Sequence, residues 1–133
     1  MIGILIVTHK ELAEALVNVC DLILGRQEGL TALSLDPNAS PEECRQQIQR
    51  ALARVNTGDG VIILTDMLGG TPSNLTLPFL QEGKVEVVTG VNLPMLMKLA
   101  QIRQESNLLE VAAALKQSGQ KGIAMPSEVL RKK

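Results

Sequence analysis

A chain of 133 residues with 45% hydrophobic content carries enough apolar surface for one buried core, and no long polar tract divides it. Its 13 basic and 14 acidic residues leave a formal charge of −1, and Phe79 is the sole aromatic. That balance offers neither the basic footprint nor the stacking platforms of a nucleic-acid binder.

The opening run MIGILIV has no basic segment before it and no small-residue cleavage site after it, and it is too short to span a bilayer. A soluble, cytoplasmic chain without membrane insertion is expected. Residues 2–8, IGILIVT, are continuously apolar and β-branched, which predicts a central strand buried on both faces. Leu12, Leu16, Val19, Cys20 and Ile23 then recur at helical spacing up to Gly25, a glycine suited to a C-terminal cap. His9, the only histidine, therefore falls at a strand-to-helix junction. LTALSL at 30–35 predicts a second strand, and Ser40-Pro41-Glu42-Glu43 opens a second helix with an N-cap, a first-turn proline and a capping-box glutamate. Cys44, Ile48, Ala51, Leu52 and Val55 line one face of it. Neither Cys20 nor Cys44 sits in a CxxC pair or near further thiols, so both read as small buried hydrophobes and not as zinc or disulfide partners.

TGDG at 57–60 turns into a third strand, VIILT, which ends at Asp66 and opens into the glycine-rich DMLGGTPSN. Pro72 starts a helix reaching about Leu80; VEVVTG at 85–90 is a fourth strand; helices follow near Pro94 and over NLLEVAAALKQSG, where Met95 and Met97 read as packing residues. KGIAM at 121–125 suggests a short edge strand, and PSEVLRKK at 126–133 a frayed basic tail, which leaves residues 1–125 as one domain. Strands alternating with helices predict an α/β fold with an open, mostly parallel sheet and helices on both faces. In the flavodoxin-like order 2-1-3-4 the switch point lies between strands one and three. Right-handed crossovers put His9 and Asp66 on the same edge, on adjacent strands about 4.8 Å apart.

That pairing suggests a chemistry. A carboxylate hydrogen-bonded to one imidazole nitrogen fixes the tautomer and frees the other nitrogen as a nucleophile, while balancing the charge that arises on the ring when phosphorus is attacked. Leu68, Gly69, Gly70 and Thr71 beside it offer backbone N–H groups, a hydroxyl and a helix N-terminus for an anion. Thr8 and Asn92 are candidate pocket walls. The loop lacks the lysine of a nucleoside-triphosphate loop, and no second acidic cluster could hold magnesium, so the donor is expected to be an already phosphorylated protein, with no metal and no cofactor.

IVTHKELAEAL, ILTDMLGGTPSN and EVVTGVNLPML, in this order and spacing, resemble the phosphohistidine site, pocket loop and following strand of the mannose-family enzyme IIA of the bacterial phosphotransferase system. The likeness covers residues 1 to about 123. It implies that His9 accepts a phosphoryl group from the phosphocarrier HPr and passes it to an enzyme IIB serving a membrane permease, in sugar uptake or its regulation. It also implies Asp66 as the partner of His9, phosphate contacts at Thr71 and its neighbouring amides, and a homodimer that exchanges a C-terminal strand, a role GIAM at 122–125 would fill. The absence of a linker to a IIB domain suggests a separate IIB protein. Leu68 stands where members usually carry phenylalanine or tryptophan, and Ser73 where many have phenylalanine; both departures fall on the expected partner-facing surface.

Other readings exist for each part. His9 alone could cap the next helix, Asp66 alone could form a turn, the glycine pair could serve a tight turn, and TGVNLP could be a plain strand exit. A receiver-like module phosphorylated on Asp66 needs an acidic pair after strand one, where this chain has THKE. A flavin-binding module lacks the aromatic residues to cover the ring. The phosphoryl-donor subunit of a dihydroxyacetone kinase has a similar first motif but is less well matched by DMLGGTPSN and GVNLPML.

Overall fold

The computed structural model describes residues 1–104 and 107–131. Strand β1 spans Gly3–Thr8, and helix α1 spans Leu12–Leu24. They are followed by β2 (Leu30–Ser34), α2 (Pro41–Val55), β3 (Val61–Thr65) and α3 (Thr71–Thr76). A 3-10 turn, Leu77–Phe79, leads to β4 (Val85–Thr89), and helices α4 (Leu93–Ile102), α5 (Leu108–Lys121) and α6 (Pro126–Arg131) complete the chain. The four strands form one parallel sheet in the order β2-β1-β3-β4, the order expected from the sequence.

The strand registers explain why the functional residues meet. Thr8 pairs with Ser34, Val7 with Thr65, and Thr65 with Thr89, so all four strands end at nearly the same level. The alternation of side chains along the central strands feeds two cores. Ile2, Ile4, Ile6, Ile62 and Leu64 pack against α1, α4 and α5, whereas Leu5, Val7, Val61 and Ile63 pack against Ala51 and Val55 of α2. A strand serving both cores has no solvent face, which is why β1 and β3 read as unbroken apolar runs. Each fully buried Ile or Leu contributes about 1.5–3 kcal/mol relative to exposure.

The helix starts follow local chemistry. Ser40 Oγ accepts from the Glu43 N–H at 3.1 Å, with Pro41 opening α2. The helix predicted from Pro72 to about Leu80 stops being α-helical after Thr76 and finishes as the 3-10 turn. Pro78 explains this, because it has no N–H to donate to the carbonyl of Asn74. Cys20 and Cys44 are buried in α1 and α2 as expected.

The C-terminal expectations need correction. Residues 121–125 form no strand in the single chain: Lys121 ends α5, Gly122 turns, and 123–125 are irregular. Gly122 lies so close to Pro94 that a Cβ there would collide with the proline ring. Residues 126–131 are not a frayed tail but the helix α6, exposed along its length; Lys132 and Lys133 lie outside the described residues. No helix among the described residues is long and apolar enough to cross a membrane.

Candidate functional site

His9 and Asp66 are the residues that follow β1 and β3, and their side chains meet. The imidazole Nδ1 lies 2.7 Å from Asp66 Oδ2. A carboxylate only accepts, so the shared proton sits on Nδ1 and the lone pair is left on Nε2. The same Oδ2 accepts the backbone N–H of His9 at 3.1 Å, and Oδ1 accepts the Met67 N–H at 3.0 Å. Desolvation by burial pushes the Asp66 carboxyl upward, but the hydrogen bonds from the His9 ring and backbone, the charge of His9 and the loop backbone outweigh it and hold its pKa below the ordinary range. Asp66 is mostly buried, while the His9 side chain is 48% exposed.

Thr8 is fully buried and does more than wall the pocket. Its Oγ1 accepts the Ala13 N–H at 2.7 Å and donates to the His9 carbonyl at 3.1 Å. This hydroxyl satisfies an orphan donor in the first turn of α1, where Glu11 at the N-cap position supplies no side-chain cap. The backbone of His9 is thereby tied to both the helix and the sheet.

The glycine loop closes over the ring. Gly69 adopts φ +86°, a left-handed conformation that glycine takes without strain. Gly70 packs directly on the imidazole: a Cβ there would sit 2.7 Å from His9 Cε1 and 3.4 Å from Nε2. The Gly70 N–H points back to the Met67 carbonyl at 3.4 Å, whereas the N–H groups of Leu68, Gly69 and Thr71 have no acceptor among the described residues. Thr71 begins α3 and lines the cleft with His9. Leu68 is 71% exposed. Ser73 is the opposite case: it is fully buried, and its hydroxyl has no partner among the described residues.

Asn92 does not reach this cleft, which corrects its reading as a wall of the His9 pocket. It caps α4, its Oδ1 accepting the Met95 N–H at 3.0 Å, and its Nδ2 donates to the Gly119 carbonyl of α5 at 2.9 Å. It borders a different cavity of about 640 Å³ between β4 and α5.

The His9 cleft itself encloses about 390 Å³. One wall is the β2–α2 connection, with Leu35, Asp36, Pro37 and Ala39, which the sequence reading did not single out. The strand order held the signal, because β2 flanks β1 and its following loop must border the end of β1. Lys10 also lines the cleft and was passed over. Its φ of +46° makes it the one non-glycine residue with positive φ among the described residues, at a cost of about 1–2 kcal/mol. Nothing in the residue type announces such a turn. No group of three or more His, Cys, Asp or Glu that could hold a metal occurs among the described residues.

The sequence and the fold have known counterparts. The family model EIIA-man, described as the PTS system fructose IIA component, matches residues 3–116. The chain belongs to the EIIA-man family. Among relatives of the EIIA-man chain, the mannose-specific EIIAB component of Escherichia coli (strain K12) is 31% identical over 124 residues, covering 92% of this chain and 38% of the relative. The fructose-specific EIIA component of Bacillus subtilis (strain 168) is 28% identical over 133 residues, covering 99% of this chain and 91% of that one. The chain thus spans only 38% of the length of the first curated relatives it matches. The crystal structure of phosphotransferase system component EIIA from Streptococcus agalactiae superposes with a TM-score of 0.85 at 28% identity, over 96% of this chain and 99% of that one. The EIIA-man assignment places this chain in a family of phosphotransferase-system IIA components.

Proposed function

We propose that this EIIA-type chain is a phosphoryl carrier, taking a phosphoryl group from phospho-HPr onto Nε2 of His9 and handing it to an enzyme IIB that serves a sugar permease. The observation that carries this reading is the 2.7 Å contact between His9 Nδ1 and Asp66 Oδ2 at the open end of the sheet. The Nε2 lone pair attacks phosphorus as the P–N bond of the donor phosphohistidine breaks, and the bonding electrons return to the donor ring. The proton stays on Nδ1, and Asp66 balances the positive charge of the phosphorylated imidazole. Thr71 and the free N–H groups of Leu68, Gly69 and Thr71 are offered to the equatorial oxygens. Discharge to the IIB protein runs the same step in reverse, and no metal or cofactor takes part. Both Asp66 oxygens already accept protein N–H groups, which counts against Asp66 as the phosphorylated residue.

Incubation with enzyme I, HPr and labelled phosphoenolpyruvate, followed by mapping of the label, tests the reading. One acid-labile, base-stable label on His9 is the expected result, with none in His9→Ala. Label on Asp66, or transfer unaffected by His9→Ala, overturns it. Discharge by a mannose-type IIB, and not by the subunits of a dihydroxyacetone kinase, is expected in the second half of the assay. A cytoplasmic location follows from soluble donor and acceptor proteins.

The same reading extends to a homodimer. The outer edge of β4 is open, the groove of about 640 Å³ runs along it, and Ile123 borders that groove. Ile123, Met125, Val129 and Leu130 at the C-terminus are all exposed in the single chain. A partner copy laying its C-terminal segment along β4 would cover both sets and complete the sheet.

A further inference from the structure

Lys10 is the only cation among the residues lining the His9 cleft, and its side chain stands on a turn that has no need of it. Glycine would adopt φ +46° freely, so a lysine here is held against a backbone preference. The charges around it are of one sign. Asp66 anchors the imidazole as a carboxylate, and Asp36 lines the same cleft. A phosphoryl group on Nε2 adds further negative charge there. Among the described residues the ion pairs are Met1 with Asp59, His9 with Asp66 and Arg45 with Glu42, and none of them engages Lys10. Neighbouring Cα atoms are about 3.8 Å apart, so the four-carbon arm of a lysine next to His9 reaches past the ring.

We propose that Lys10 is a charge-balancing residue for the carried phosphoryl group, its ammonium pairing with an equatorial oxygen of the group on His9 Nε2. The inference rests on the reading of His9 as phosphoryl acceptor and adds to it what keeps the group there. Lys10 shifts the equilibrium between phospho-HPr and this chain toward this chain, because the cation meets the dianion only in the phosphorylated state. The effect is electrostatic between exposed groups, so salt weakens it.

The test equilibrates the full chain with fixed ratios of phospho-HPr to HPr and measures the fraction phosphorylated for the wild type, Lys10→Gly and Lys10→Arg. Lys10→Gly is expected to lower the equilibrium constant about threefold to tenfold at low ionic strength, with the deficit shrinking toward 1 M salt. Lys10→Arg is expected to stay within about twofold of the wild type. Thermal unfolding of Lys10→Gly should be no easier than that of the wild type, since glycine relieves the turn. The phosphorus-31 titration midpoint of the phosphoryl group should move to higher pH in Lys10→Gly, a shift that a merely structural role would not produce. Equal equilibrium constants and equal titration midpoints overturn the proposal. So does an unchanged equilibrium with a raised KM for HPr, which would make Lys10 a docking contact instead. If the wild type takes no label on His9, the acceptor reading fails; if it does and Lys10→Gly matches it, only this inference fails.

Discussion

Three hydrogen bonds to one carboxylate decide how His9 behaves. Asp66→Ala is expected to slow phosphoryl transfer roughly 10²- to 10⁴-fold, because the ring loses both its tautomer lock and its counter-charge; rapid-quench transfer from phospho-HPr measures it. The depressed Asp66 pKa also makes a stability statement. A carboxyl held below its ordinary value of 3.8 contributes stability that is present above that value and lost as pH falls through the lower folded value. The stability gap between wild type and Asp66→Asn, followed by urea unfolding, should therefore be level above pH 3.8 and close only below it. Gly70 tests the other side of the ring. Gly70→Ala drives a Cβ into His9 Cε1, and is expected to cost about 1–3 kcal/mol and to slow transfer by displacing the imidazole.

At the level of elements, the packing separates residues that hold the fold from residues that serve the site. Ile63, fully buried between β3 and α2, should cost about 2–5 kcal/mol when cut to alanine, read as a lower urea midpoint. Asn92→Ala removes the α4 cap and the tie to Gly119, and should cost about 0.5–2 kcal/mol while leaving phosphoryl acceptance intact. What was legible in the sequence follows from the same physics. Apolar runs and helical spacing marked the four strands, since both encode burial directly, and the alternation of strands with helices led to the flavodoxin-like order. The juxtaposition of His9 and Asp66 then followed from strand order alone. The true place of Asn92 and the close approach of Gly122 to Pro94 did not, because each is a contact between α4 and the end of α5 that leaves no period in the chain, and the exposed helix at 126–131 is too short to show one. Ser73 was misplaced for a similar reason: a small hydroxyl gives no hint of which side of a short helix it occupies.

For the molecule as a whole, the proposed homodimer would cover the exposed apolar residues near the C-terminus and the open β4 edge together. Sedimentation equilibrium is expected to return a dimer, and deletion of residues 122–133 to return a monomer with His9 still chemically competent; a monomeric full chain would remove the dimer from the proposed function. A last consequence comes from how the imidazole is enclosed. Gly70 packs on one side of the ring and Asp66 occupies Nδ1, which leaves Nε2 as the one free nitrogen of a half-exposed side chain. Under the proposed function, donor and acceptor proteins then reach the same free nitrogen in turn, so no ternary assembly is expected to form. Surplus unphosphorylated HPr should compete with the IIB protein for that nitrogen, giving ping-pong kinetics in which too much carrier stalls the relay.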